Sequence, residues 1–379
     1  MRVAFYAPMK PPSHPAPSGD RRMARLLMAA LARAGHEVEV ASVFRSYDGQ
    51  GDGARQARLK ALGGRLAARL TRRYLSRPAT DRPRAWLTYH LYHKSPDWLG
   101  PPVAEALAIP YLAAEASHAP KRAGGPWDIG YRGAEAAIRK ASVLFALSAE
   151  DAVCLRRAMA AGTRLVALTP FLDVAPYGAA TAERPVNRRS LADRLGLDAT
   201  TPRLLGVAMM RPGDKLASYR LLGQALTPLL DRPWTLIVVG DGPARAAVET
   251  ALAPIAARVR WLGAVAGEAL PAIYAAADLY VWPGVNEAYG MALLEAQAAG
   301  LPAVVGRAGG APDIVDDGVT GLLTAEGDGL AFSRAVAIML ADPARRRAMA
   351  AAAADKVRRV HDLAAAARLL DAEIMRATA

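Results

Sequence analysis

One cysteine, Cys154, occurs in 379 residues, which excludes an internal disulfide and fits a reducing, cytoplasmic compartment. No apolar run approaches the roughly 18 residues that cross a bilayer as a helix. The opening stretch MRVAFYAPMK enters a strand-like run and lacks the apolar core and small-residue cleavage site of a secretory leader. The expected location is therefore cytoplasmic, with a peripheral position on the inner face of the cell membrane as an option. No Asp-x-Asp pair is present to hold Mn²⁺ or Mg²⁺ against a diphosphate, and no Cys/His cluster has zinc spacing. A G-x-x-x-x-G-K-[ST] loop is missing, which argues against an NTPase. No G-x-G-x-x-G follows the first strand, which weakens a nicotinamide-enzyme reading. Neither a cofactor nor a bound metal is expected.

Acidic residues are scarce in the first half. Residues 1–190 hold 29 Lys/Arg against 15 Asp/Glu, whereas residues 191–379 hold 19 against 20. The net charge of +13 thus belongs to the N-terminal half. It is densest from Arg55 to Arg84, where ten basic residues meet one acid, Asp81. A nucleic-acid face, an anionic membrane surface and a merely solvated surface are the competing readings. Nucleic acid is disfavoured, because no recognised module or aromatic platform accompanies the charge.

The length exceeds one ordinary core and suits two domains. Short β runs, among them Glu37–Ser42, alternate with helical segments, among them Asp97–Ala108, from Arg2 to Leu168, and alternation restarts at Arg203 with runs such as Thr235–Val239, so each half reads as βαβ crossovers on a mostly parallel sheet. Pro170, Pro176 and Pro185 suggest a linker between the halves. The expectation is α/β, with two tandem doubly wound, Rossmann-like domains and a cleft between them. The boundaries are 1–172, a linker at 173–187, a second domain at 188–360, and a C-terminal helix at 361–379 packing back on the first domain.

The most informative segment runs from Val281 to Thr324. A strand ends at Pro283, a loop carries Glu287, and Gly290 opens a helix that carries Glu295. Free backbone N–H groups at such a helix start, from about Tyr289 to Met291, suit sugar hydroxyls or phosphate oxygens. Glu295, one turn further, can accept hydrogen bonds from a vicinal diol such as a ribose. Seven residues separate the two acids, and Ala298-Ala299-Gly300-Leu301-Pro302-Ala303-Val304 follows. Upstream, Gly240-Asp241-Gly242-Pro243 closes a strand, and Arg211 and Lys215 follow the first strand of the second half. Read singly, these are a helix cap with a surface acid, an ordinary turn, and two surface cations.

Together these residues resemble the retaining glycosyltransferase family 4 pattern, with its E-x7-E motif and A-x-G-x-P-x-V run. The likeness is good over most of residues 203–325 and loose in the N-terminal half. It implies a GT-B fold and transfer of a sugar from a nucleoside diphosphate sugar to a hydroxyl acceptor with retention. A cell-envelope glycan or lipid-linked acceptor, without a metal, is implied as well. By the resemblance, the first domain is the acceptor side and the second holds the donor. Glu295 holds the ribose, while Glu287 and the backbone of Ala288, Tyr289, Gly290 and Met291 hold the sugar. Gly240 lies in the family's G-x-G-P turn, and Gly263, Ala264 and Val265 are candidates to touch the base. Arg211 and Lys215 stabilise the departing diphosphate. Gly19 brings backbone N–H groups near phosphate or acceptor, and His118 contacts the donor sugar, with His90 and His93 as rivals. Departing phosphate oxygen helps to take the acceptor proton on the face of attack, so no protein nucleophile is named. The chain departs from the pattern at Gly284, where Ser is usual, at Asp313, where Glu is usual, and in the Arg–Lys spacing. A sugar-nucleotide epimerase on the same fold and a non-catalytic sugar-nucleotide or glycan-binding protein are the alternatives.

Residues Ala54–Arg73 read as a basic amphipathic helix with Leu59, Leu62, Leu66 and Leu70 in one stripe, weakened in isolation by Gly63-Gly64. Two expectations compete. The stripe packs on its own sheet, or it inserts into an anionic membrane while the basic face is attracted to it.

Overall fold

The computed structural model describes residues 1–15, 18–287 and 290–379, with the side chain of Glu150 left out of the description. The chain divides into two units. One comprises Met1–Thr169 and Leu363–Ala379; the other comprises Pro170–Asp362.

The first unit is built on six parallel strands: β1 (Arg2–Tyr6), β2 (Glu37–Ser42), β3 (Ala85–Leu91), β4 (Tyr111–Ala116), β5 (Val143–Ala146) and β6 (Arg164–Ala167). Their order is β2-β1-β3-β4-β5-β6. Helices cover both faces, so the central strands are buried almost throughout and read as near-continuous apolar runs. The order reverses between β1 and β3, which makes their carboxyl ends a switch point. The helix Leu363–Thr378 packs on the helix Gly19–Arg33. Arg164 on the edge strand holds the buried Glu373 of that last helix through two bonds of 2.8 and 2.9 Å.

The second unit repeats the plan with β7 (Arg203–Val207), β8 (Thr235–Val239), β9 (Val259–Gly263), β10 (Leu279–Trp282), β11 (Ala303–Gly306) and β12 (Gly321–Thr324). The order is β12-β11-β10-β7-β8-β9, with its switch point between β10 and β7.

Three sequence expectations are corrected. Residues 173–187 are not an extended linker: they fall in helices Ala175–Ala182 and Arg184–Leu195, which pack on the helix Leu270–Ala276. Pro176 and Pro185 stand in first turns, where a missing N–H costs nothing, so they start helices. The helix expected from Asp97 begins at Gly100. Asp97 instead sits buried before it and accepts from the Leu99 and Gly100 amides at 2.8 and 2.7 Å and from the Thr88 and Tyr111 hydroxyls. Burial raises its pKa, and these bonds work against the rise.

The third correction concerns the basic helix, Gly53–Leu75. Leu70 is in the core and Leu66 packs against it, so this half of the stripe serves the unit's own interior, whereas Leu59 is half-buried and Leu62 is exposed. Gly63, which the sequence suggested would weaken the helix, is buried where an added Cβ would strike Trp98. The glycine therefore admits that indole between helices.

Candidate functional site

In the second unit the switch point gathers residues far apart in the chain. The helix Asp214–Leu226 starts after β7, and the loop 283–287 leaves β10 beside it. Lys215 Nζ lies 2.5 Å from Glu287 Oε2, and the Trp282 indole N–H donates to the same oxygen at 3.0 Å. The ammonium also stands 5.5 Å from the centre of the Trp282 ring, within cation–π range. The backbone is stitched in parallel. The Val285 amide donates to Ser218 Oγ at 3.0 Å, Asn286 Nδ2 donates to Asp214 Oδ2 at 3.0 Å, and the Asn286 amide donates to Glu326 at 2.7 Å. Asn286 takes φ 47° and Gly284 φ 62°, which turn the chain sharply enough to aim Glu287 back at Lys215.

The turn after β8 closes the other side of the β7 loop. Gly240 and Gly242 have φ 140° and 153°, and a Cβ at either would run into the carbonyl oxygens of Ala208 and Met210. The Met210 amide donates to Asp241 O at 3.0 Å, and the Gly240 amide to Gly263 O at 2.8 Å. Three strand ends are thus drawn together by backbone that only glycine permits. Gly263 itself takes φ 67° with open space where a Cβ would stand; Ala264 beyond it is exposed and Val265 half-buried.

Gly290, at φ 68°, caps the helix Met291–Ala298. Ala288 and Tyr289 lie outside the described residues, and Met291 is half-buried. Glu295 is 3% exposed. It is turned inward near Tyr274, whose pKa burial raises strongly, with the Glu295 charge adding to the rise. Arg211 is exposed, and its guanidinium has no partner among the described residues. Asp313 lies within a short turn of helix, Ala311–Ile314, and its carbonyl accepts from Lys356 Nζ.

In the first unit, Gly19 begins the helix Gly19–Arg33 behind a Ser18 cap, with nothing within 4 Å of where a Cβ would be. His118 follows β4, and its ring is set against the helix Asp128–Lys140. Nε2 is 3.2 Å from the Tyr131 hydroxyl and 3.5 Å from Glu135. The rival His90 lies at the switch point. Its Nδ1 is 3.1 Å from Asp20 Oδ1 and 3.5 Å from Glu115 Oε1. Burial lowers its pKa, but Glu115, Asp20 and Asp151 more than compensate, and the net shift is upward. His90 and Glu115 both take left-handed backbone, φ 62° and 57°, at the ends of neighbouring strands. Such strain in non-glycine residues is concentrated at functional positions. No local pattern announces that Asp20 and Glu115 meet His90, because residues 20, 90 and 115 belong to three separate strand–helix junctions. His93, the other rival, stands off this cluster against Trp127. Among the described residues no group of three His, Cys, Asp or Glu side chains is disposed to hold a metal ion, and no helix is long and apolar enough to cross a membrane.

Comparison with known proteins bears on both units. Residues 201–342 match the family model described as glycosyl transferases group 1. D-inositol 3-phosphate glycosyltransferase of Salinispora tropica is 34% identical over 199 residues, half of this chain and 41% of that protein. The 2-deoxystreptamine glucosyltransferase of Streptomyces kanamyceticus is 32% identical over 212 residues, 55% of this chain and 54% of that one. The chain spans about half the length of the curated relatives it matches. Over the whole molecule, the structure of Anabaena HepE in complex with UDP superposes with a TM-score of 0.74 at 18% identity, covering 99% of this chain and 100% of the other. Sucrose-phosphate synthase from Thermosynechococcus elongatus gives 0.73 at 19% identity, with 99% and 98% covered.

Proposed function

We infer that this chain, which has the GT-B fold and carries a group 1 glycosyl transferase domain over residues 201–342, transfers a sugar from a nucleoside diphosphate sugar to a hydroxyl acceptor. The observation that carries the reading is the Lys215–Glu287 pair at the switch point, beside the glycine turn at Gly240. A fixed ammonium stabilises negative charge that grows on a departing diphosphate. Glu287 holds that ammonium in place and offers its carboxylate to sugar hydroxyls. The amide groups at Gly290 and Met291 and the carboxylate of Glu295 complete the grip on sugar and ribose. Arg211, exposed and unpartnered among the described residues, is available to the phosphates once a donor binds. The UDP in the HepE complex supports a nucleotide-sugar donor for this fold. Retention, with departing phosphate oxygen helping to take the acceptor proton, belongs to the same proposal, as does a glycan or lipid-linked acceptor of the cell envelope.

The test is incubation of the purified chain with UDP-, GDP- and ADP-sugars, with and without a lipid extract. Sugar transfer only when acceptor is present supports the reading. Product without acceptor would make the protein an epimerase, and binding without turnover would make it a carrier. Glu295→Ala is expected to weaken nucleotide binding by about 1.5–3 kcal/mol, the range for hydrogen bonds to a charged group. Calorimetry showing unchanged affinity would remove Glu295 from the donor site.

Metal independence is part of the proposal, because Lys215 and Arg211 supply the cationic charge. Activity is expected to survive EDTA; loss in chelator, restored by Mn²⁺ or Mg²⁺, would refute it.

Membrane association rests mainly on charge, since Leu66 and Leu70 pack inward and Leu62 is the one exposed leucine of the stripe. Arg55, Arg58, Arg65, Arg69 and Arg72 are exposed and have no acidic partner among the described residues. Each basic residue held near an anionic surface contributes roughly 1 kcal/mol. Flotation with anionic vesicles is expected at low salt and lost at high salt, with neutral vesicles left unbound. Replacing Arg65, Arg69 and Arg72 with Gln is expected to reduce it, and a wild-type chain that ignores anionic vesicles would favour a soluble acceptor.

A further inference from the structure

Near the carboxyl end of β3 the first unit concentrates positive charge around one indole. A tight turn, Tyr92 to Ser95, is closed by paired backbone bonds and presents His93 and Lys94. Trp127 is fixed by its N–H, which donates to Asp48 O at 3.1 Å. Lys94 Nζ lies 5.3 Å and Arg122 Cζ 5.1 Å from the centre of its ring, and the His93 ring meets it edge-on at 5.9 Å. Lys121 stands next to Arg122 on the same short turn, Pro120–Arg122.

Acids on the adjoining elements are spent elsewhere. Asp48 accepts from Gln56 and from the Gln50 amide, and Asp128 accepts from Arg132 and from the Gly124 amide. Two nitrogens of the cluster, His93 Nε2 and Arg122 Nε, are buried and have no hydrogen-bond partner among the described residues. The His93 pKa is lowered to about 4, by burial and then by Arg122, Lys94 and Lys121. Three cations and two unmatched nitrogens without a facing carboxylate form an arrangement that lacks an anion.

We propose that His93, Lys94, Lys121 and Arg122 bind a phosphoryl group, and that this group belongs to the acceptor. The assignment to the acceptor rests on the sugar-transfer reading; phosphoryl binding does not. Continuity with the switch point supports it. Ring contacts run from His90 to Tyr92 at 4.9 Å, from Tyr92 to His93 at 5.3 Å, and on to Trp127. A phosphorylated polyol held at the cations would therefore extend along this row of rings towards the polar groups at His90, Asp20 and Glu115. The same chemistry is offered by a soluble sugar or polyol phosphate and by a lipid phosphate headgroup.

Titration of the full-length protein with inorganic phosphate, without donor, separates this proposal from the question of turnover. Calorimetry is expected to show binding that Lys94→Gln/Arg122→Gln weakens roughly tenfold or more, the size of losing a charge-assisted bond. Lys121→Gln, at an exposed position, is expected to weaken it less and serves as the variant least able to disturb folding. The control Arg334→Gln/Arg347→Gln, at exposed positions of the other unit, keeps the binding of the wild type. By NMR, the His93 ring protons are expected to titrate at higher pH when phosphate is present, since an opposite charge favours the imidazolium. Unchanged phosphate affinity in both the double variant and Lys121→Gln, equal weakening by the control, or an unmoved His93 titration would overturn the proposal. A further arm distinguishes the sources. Competition between inorganic phosphate and phosphatidylglycerol vesicles assigns the site to a lipid phosphate, and binding without competition assigns it to a soluble one.

Discussion

Lys215→Ala is expected to lower turnover by about 10²–10³-fold while leaving the fold intact, the usual cost of removing one fixed charge-stabilising group from an active site. The ammonium is held from two directions, by Glu287 at 2.5 Å and by the Trp282 ring at 5.5 Å, so it needs little rearrangement before charge develops on a leaving group. Its side chain is about one-third exposed, at 32%, and solvent screening keeps the pair's contribution to stability small. Removing Lys215 takes the counter-ion from Glu287, whose side chain is 17% exposed, but the Trp282 indole still donates to that carboxylate, so a small loss of melting temperature is expected beside the loss of turnover. Lys215→Arg is not expected to restore full activity, since the longer planar guanidinium spreads the charge that the ammonium concentrates at one point. The measurement is kcat at saturating donor, with melting temperature as the control. A kcat within twofold of wild type would show that Lys215 does not act on the leaving group.

Gly240→Ala is expected to produce the largest loss of stability, about 2–5 kcal/mol, from forbidden backbone and overpacking together. At φ 140° a side chain is strained wherever it points, and here it points into the Ala208 carbonyl. The obstacle is backbone within the strand-end network, so it cannot swing aside as a flexible side chain would. Gly263→Ala provides the contrast: φ is 67° but no atom lies within 4 Å, so only the left-handed penalty of roughly 1–2 kcal/mol applies. Urea denaturation of the two variants gives the comparison. Equal midpoints would mean that the close approach of the turn to β7 carries no energetic weight.

Much of the architecture was legible because parallel strands, covered on both faces, leave continuous apolar runs. The runs at Glu37–Ser42 and Thr235–Val239 coincide with β2 and β8. The run Gly321–Thr324 was not anticipated; it is four residues with two of them half-buried, too short to stand out from a turn. The prolines of residues 173–187 misled, because proline breaks a helix in its interior and favours one in its first turn, and only the packing against Leu270–Ala276 decides between these. Leu59, Leu62, Leu66 and Leu70 form an apolar stripe, but a stripe has no address; the tertiary fold turns Leu66 and Leu70 onto the core of their own unit and leaves Leu62 exposed.

Two doubly wound units, the helix opened by Gly290 and the glycine turn at Gly240 are legible residue by residue, since each is written in local periodicity or in a residue that alone tolerates a given φ. Tertiary structure decided which side chains meet. Lys215 and Glu287 are 72 residues apart and pair because β10 lies beside β7. Asp20 and His90, 70 residues apart, pair because β3 lies beside β1. Strand order is fixed by how whole faces of helices and sheet are buried together, a property of the assembled core that no short segment carries.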